Sequence, residues 1–178
     1  MSIIVRCDAD QASGLGHAAR ALALAEVLAE REGGPIRVVA RPTRLLDSFL
    51  AGGGVELLPL VGTGYGLGPV LAEAVRGDVL VSDTYDLDEE ALEATAAAGL
   101  RHVVIDDFGR LERWNCDVLV NPNLGVDEAA YRGPARVLTG PRYALLRREI
   151  RAAAAAAGPR TGRRALICLG GGTWPAAA

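Results

Sequence analysis

Residues 2–31 read SIIVRCDADQASGLGHAARALALAEVLAER, and this stretch decides the fold. Ser2–Arg6 is short, apolar and rich in β-branched residues, the composition of a buried strand. Gly14 and Gly16 permit a tight loop and a close approach of backbone to a ligand. From about Gly16 to Arg31 the chain turns to Ala and Leu, and a helix follows. Strand, glycine loop and helix form one unit, and the rest of the chain repeats it.

Ile36–Ala40 and Val55–Leu60 are expected strands, with short helices at Thr43–Leu50 and Gly68–Val75. Asp78–Ser82, Arg101–Ile105 and Asp117–Asn121 are further strands, with a helix near Asp88–Ala98 between the first two. A last strand ends at Leu138, and a helix spans Tyr143–Ala157. Repeated β-loop-α alternation predicts a parallel sheet covered on both faces. Ligands of such sheets bind beyond the carboxyl ends of the strands. The conspicuous polar residues stand there: Arg6 and Asp8, Asp83 and Tyr85, Asp106 and Asp107, Asn121 and Asn123.

The bulk numbers agree. At 178 residues, half of them hydrophobic, the chain supports one domain with a substantial core. It has too much apolar area for a disordered segment. The net charge is −3 and the arginines are spread along the chain, so there is no basic patch for general nucleic-acid binding. A few arginines in the right place would still hold a small phosphorylated ligand. Cys7, Cys116 and Cys168 are far apart and form no CxxC, which reads as buried small residues, not a disulfide framework or zinc site. The start, MSIIVRCDAD, lacks the features of a signal peptide, and no apolar run is long enough to span a bilayer. The cytoplasm is the default location.

The tail carries an organisational signal. Ala152–Ala157 runs into GPRTGRR, an exposed linker, and then into ALICLGGGTW, an apolar strand with a glycine-rich turn. The expected division is a lobe over 1–157, a linker over 158–164, and the first strand and glycine turn of an incomplete second lobe over 165–178. A truncated chain, a split subunit and a strand docked on the first lobe all fit.

The chemistry concentrates at residues 6–20. The helix after the loop begins near His17, so its free N–H groups and positive dipole end face the space above the strand. That dipole favours a neutral imidazole, a suitable base for activating water or a sugar hydroxyl. The same residues also fit a bare strand-to-helix turn capped by His17. Arg6, Asp8 and Arg20 bracketing the loop favour a polar pocket.

RCDADQASGLGHAARALALA resembles the amino-terminal signature of the nucleotide-sugar hydrolases of pseudaminic acid biosynthesis and of the related spore-coat polysaccharide proteins. That signature is roughly Arg-x-Asp, a short gap, then Gly-x-Gly-His-x-x-Arg. VSDTYDLD, VIDDF, CDVLVNPN, LTGPRYALLRREI and ICLGGGT continue the likeness in the family's order and at compatible spacing. The resemblance implies a Rossmann-like N-terminal lobe of a two-lobed GT-B (MurG-like) fold, with the active site between lobes. It implies release of UDP from a UDP-linked diacetamido-trideoxy sugar by water attack at the anomeric carbon, without a metal or other cofactor. The proposed base maps onto His17, and the nucleotide would be held mainly by the second lobe.

The remaining candidates carry two readings each. Asp83 and Tyr85 bind sugar hydroxyl or acetamido groups, or are a turn Asp and a packed Tyr. Adjacent strand-end residues point opposite ways, so Asp106 and Asp107 do not share a site; one caps the next turn and the other touches ligand or His17. Asn121 and Asn123 form Asx turns or contact substrate. Tyr143 and Arg147 fix the connecting helix, with Tyr143 a weaker site candidate at the cleft. His102 is structural. Gly171, Gly172 and Thr173 resemble a phosphate-facing turn. Two other functions share these features: the acceptor lobe of a glycosyltransferase, where the base deprotonates a sugar hydroxyl, and a non-catalytic half that pairs with a partner lobe.

Overall fold

The structure is a computed structural model that describes residues 1–9, 14–32, 36–44, 46, 47, 55–60, 62, 64–158 and 162. The sheet strands are β1 (Ile3–Cys7), β2 (Ile36–Ala40), β3 (Val55–Pro59), β4 (Val79–Asp83), β5 (Arg101–Ile105), β6 (Val118–Asn121) and β7 (Arg136–Thr139). The helices among the described residues are α1 (Gly16–Glu32), α2 (Leu67–Glu73), α3 (Glu89–Ala97) and α4 (Arg148–Ala156), with short 3-10 turns at Glu128–Ala130 and Pro141–Tyr143. All seven strands are parallel, in the order β3-β2-β1-β4-β5-β6-β7. The architecture is α/β and Rossmann-like.

Alternation along each strand sends side chains to opposite faces and builds two cores. Along β1, Ile4 joins the face covered by Val70 of α2 and Ala91 and Leu92 of α3. Val5 and Cys7 join the other face, covered by Ala18, Ala21, Leu22 and Ala25 of α1. Those four recur at three- and four-residue spacing, and the small alanines let α1 lie close to the sheet. Both α3 termini are written in the sequence. The Asp88 side chain accepts the Ala91 N–H at 2.8 Å, Glu89 and Glu90 oppose the helix dipole, and Gly99 leaves the helix at φ 72°.

The expected helix over Tyr143–Ala157 is corrected. Pro141–Tyr143 is a 3-10 turn, and α4 begins only at Arg148. Between them Leu145 packs against the α1-side core, so tertiary burial holds this segment out of the helix that its composition favours. The expected helix at Thr43–Leu50 lies partly outside the described residues; within them, the Thr43 carbonyl accepts the Asp47 N–H at 2.9 Å, one helical turn. Most of the linker, all but residues 158 and 162, and the whole of 165–178 lie outside them as well. No helix among the described residues is long and apolar enough to cross a membrane.

The strand order fixes where a site can form. After β1 the chain moves to β2 and β3 on one side, then crosses back to β4 on the other side of β1. The loops leaving β1 and β4 therefore diverge, opening a crevice above the two central strands. Beneath it on the α2/α3 face runs a buried polar row. Tyr65 Oη is 2.6 Å from Ser82 Oγ, which is 2.7 Å from His102 Nε2. Burial pushes the His102 pKa down to about 4 and the Tyr65 hydroxyl up to about 12. His102 is thus buried and hydrogen-bonded within the core.

Candidate active site

His17 occupies the first turn of α1, above the crevice. Gly14, at φ 69°, turns the chain into that helix in a conformation costly for any other residue. Where Gly16 would carry a Cβ there is open space, the room a close-approach glycine leaves for a ligand. His17 itself is only 3% exposed. The Tyr85 ring meets it edge-on, with centroids 4.5 Å apart. Its Nδ1 lies 3.9 Å from Asp83 Oδ1 and 4.0 Å from Asp8 Oδ2, too far for hydrogen bonds, and neither ring nitrogen has a partner. Two carboxylates beside Nδ1 favour the tautomer protonated there, which leaves the lone pair on Nε2.

Asp8 is held from below and from the side. Arg6, fully buried, donates from Nη1 to Asp8 Oδ1 at 2.8 Å and to the Cys7 carbonyl, and from Nε to the Tyr65 carbonyl at 2.7 Å. Asp8 Oδ2 accepts the Thr84 hydroxyl at 2.6 Å and the Tyr85 N–H at 3.2 Å. Arg6 is thus a fully buried support for Asp8. On the other face of β1, burial pushes the Cys7 thiol up to about 12, so it stays protonated and inert.

Arg20, one turn along α1 from His17, is clamped between two carboxylates. Its guanidinium donates to Asp83 at 2.8 and 2.7 Å and to Asp107 twice at 2.9 Å. Burial raises the Asp83 pKa, with Arg20 opposing the rise. Asp107 is also pushed up by burial, but the Arg20 hydrogen bonds and charge, His17 and Asn123 outweigh this and hold it below the usual carboxylate range. Tyr85 Oη donates to Asp107 Oδ2 at 3.3 Å, and the tyrosine hydroxyl is raised by burial and by the carboxylates beside it. Arg20, Asp83, Asp107 and Tyr85 thus form one network around His17.

The two adjacent aspartates do divide their work. Asp106 Oδ2 accepts the N–H groups of Phe108 and Gly109 and the Tyr131 hydroxyl, capping its own turn. Asn121 is buried, donates to Tyr131 Oη at 2.7 Å and accepts the Asn123 N–H in an Asx turn. Asn123 Nδ2 reaches Asp107 at 3.3 Å. Tyr143 stands on the 3-10 turn after β7 with Arg142 over its ring, and no hydrogen bond or ring contact joins it to the cluster. Gly171, Gly172 and Thr173 lie outside the described residues.

Sequence reasoning did not single out Thr84, Tyr131, Arg41 or Arg110. Thr84 had a signal, lying between two candidates at a strand end; Tyr131 had none. Arg41 donates to Asp86 at 3.0 Å and lies 3.8 Å from Asp8 Oδ1. Arg110 donates to the Tyr85 carbonyl and stacks on its ring. Beyond Tyr85 from His17 opens a cleft of about 150 Å³, walled by residues of the β4 and β5 strand ends and by Leu111 and Trp114. Among the described residues no three His, Cys, Asp or Glu side chains are grouped to hold a metal ion. No family model and no curated protein matches the chain.

Proposed function

We propose that this chain is the catalytic lobe of a metal-independent nucleotide-sugar hydrolase of GT-B architecture, releasing UDP from a UDP-linked diacetamido-trideoxy sugar. The observation that carries the reading is His17. It is a buried imidazole with no hydrogen-bond partner, beside two carboxylates, at the switch point of a parallel sheet. A buried unpartnered imidazole costs stability, and such costs concentrate where a protein does chemistry.

In the proposed step, His17 Nε2 takes a proton from water as the water oxygen bonds to the anomeric carbon. The bond from that carbon to the phosphate oxygen breaks, and UDP leaves with the electron pair. Asp8 and Asp83, beside Nδ1, stabilise the imidazolium that forms. Arg20, gripping Asp83 and Asp107, fixes the first turns of α1 over the strand ends.

The charge balance supports placing the diphosphate elsewhere. Asp8, Asp83, Asp86 and Asp107 outnumber Arg6, Arg20 and Arg41 by one, a field that suits sugar hydroxyls and repels phosphates. This agrees with a nucleotide held by a second lobe, to which Gly171, Gly172 and Thr173 would belong. The test is UDP release from a panel of UDP-acetamido sugars by the two-lobed protein and its His17→Asn variant. Loss of release by about a hundredfold or more supports the reading; equal rates remove His17 from the chemistry.

A further inference from the structure

The proposed step asks His17 Nε2 to meet water and a sugar carbon, yet the residue is 3% exposed. A neighbour has to move first, and the neighbours differ in how they are held. Asp8 is fixed by Arg6, Thr84 and the Tyr85 N–H, and Asp83 by two hydrogen bonds from Arg20. Arg20 also ties the first turns of α1, and so His17, to Asp107. The Tyr85 ring, edge-on to His17, is held less firmly. Tyr85 is 38% exposed, and its hydroxyl makes one hydrogen bond with a described residue, to Asp107 at 3.3 Å. Its other ring contacts are with Phe108 and Arg110, both exposed. The Tyr85 backbone, in contrast, is anchored by its N–H on Asp8 and by Arg110 on its carbonyl. The side chain can therefore turn about its Cα–Cβ bond without breaking a backbone contact.

The space it would turn into is already there. On the far side of the ring lies the cleft of about 150 Å³, with Leu87, Val104, Leu111 and Trp114 in its wall and Asp106 among its polar members. An apolar cavity of about that volume admits a six-carbon ring, the size of the tyrosine ring. The hydroxyl also has somewhere to go, because Asp106 Oδ1 accepts no hydrogen bond from a described residue. The turn thus exchanges one hydrogen bond for another and an imidazole edge for aliphatic side chains. Terms this similar leave both positions populated, the condition for a gate.

We propose that the Tyr85 side chain is a gate on His17: it swings between the imidazole edge and this cleft, and water and substrate reach Nε2 in the open position. Tyr85 acts here through His17, setting when the base is available and keeping bulk water off it otherwise. That the uncovered imidazole works on a nucleotide sugar rests on the hydrolase reading; the gate is argued from the burial of His17, the ring over it and the cleft behind.

The test is the rate at which diethylpyrocarbonate labels His17 in the full chain, read by peptide mass spectrometry. The chain has two histidines, and the buried His102 reports unfolding in the same sample. A group that reacts only when uncovered is slowed by the fraction of time it is open, so parent His17 should label about tenfold or more below N-acetylhistidine. Tyr85→Ala removes the ring and is expected to raise the rate about tenfold or more. Leu111→Trp fills the cleft, holds the ring closed and is expected to lower it about tenfold. His102 should label alike in all three proteins. A Tyr85→Ala chain that unfolds shows it at His102, and Leu111→Trp then decides alone. Parent His17 labelling as fast as N-acetylhistidine, the two parent histidines labelling in step, or a rate unmoved by either folded variant overturns the gate. UDP release from the two-lobed protein separates the two ideas. A gated His17 without UDP release keeps the gate and sinks the hydrolase. Release that needs His17, with labelling unmoved by Tyr85→Ala, does the reverse.

Discussion

Replacing Arg20 by Met should destabilise the fold far more than a partly exposed arginine normally would. Four hydrogen bonds of 2.7–2.9 Å are lost, each worth about 1.5–3 kcal/mol when charge-assisted, though such values do not add. The governing quantity is what remains behind. Asp83 is 1% exposed and would keep a buried charge without its partner, which costs about 3–5 kcal/mol. Asp107, at 13% exposed, keeps Asn123 and Tyr85 and adds little. The expected loss at pH 7 is therefore about 4 kcal/mol, and Asp83→Asn added to Arg20→Met should recover a large part of it. The pH dependence has a definite sign. Burial raises the folded pKa of Asp83, and Arg20 opposes that rise, so without Arg20 it climbs further. A carboxyl with a raised folded pKa contributes stability below its unfolded value, about 3.9, and loses it as pH rises through the folded value. The deficit of the variant against the parent should accordingly shrink on going from pH 7 to pH 5. Urea titrations at both values measure it. A deficit under about 1 kcal/mol, or one unchanged by pH, would refute the clamp as the anchor of α1.

Other consequences follow from the same structure. His102 has its folded pKa depressed to about 4, so its stability contribution is complete above about 6.5 and lost as pH falls toward 4; the loss is about 3 kcal/mol, read as the difference between parent and His102→Gln in denaturant titrations. His17→Leu should leave stability unchanged or raise it, since no hydrogen bond is broken, while ending UDP release; a drop in thermal midpoint worth more than about 2 kcal/mol would show that the ring nitrogens are satisfied in solution. Gly133→Ala should cost about 2 kcal/mol or more in a urea titration, because φ is 107° and the new Cβ would meet the Trp114 carbonyl at 2.9 Å. Tyr131→Phe should cost about 1–3 kcal/mol by the same assay, by leaving buried Asn121 without its acceptor.

Local signals carried most of the fold. The alternation of β-branched and Ala-rich segments and the Gly14 turn are properties of neighbouring residues, and each stands where the sequence put it. The start of α4 did not, because the pull on Leu145 comes from the far side of the chain. The site was legible in the same graded way. That Asp8, Asp83 and Asp107 sit at strand ends follows from the pattern. That Arg20 joins residues 63 and 87 positions away depends on the order of strands, which no local pattern encodes. A buried Asx-turn residue and a ligand-binding one look alike in sequence, and the partner that holds Asn121, Tyr131, lies ten residues on with no local signal to mark it.

The place of β1 in the middle of the sheet also sets a timetable. Its N-terminal end is stapled to the approach of β4 by the Ser2 N–H on Asp78 Oδ1, at 2.6 Å, and by the Val79 N–H on the Ser2 carbonyl. The two ends of the first of these bonds are 76 residues apart. A ribosome adding about 5–20 residues per second leaves β1 waiting about 4–15 s for that neighbour. During that interval β1 has β2 as its sheet neighbour, and the edge that β4 will cover is open. A bulky fusion placed before Ser2 would occupy that edge when β4 emerges, so a tag at the amino terminus should lower the soluble yield of newly made protein more than it lowers the stability of the finished fold.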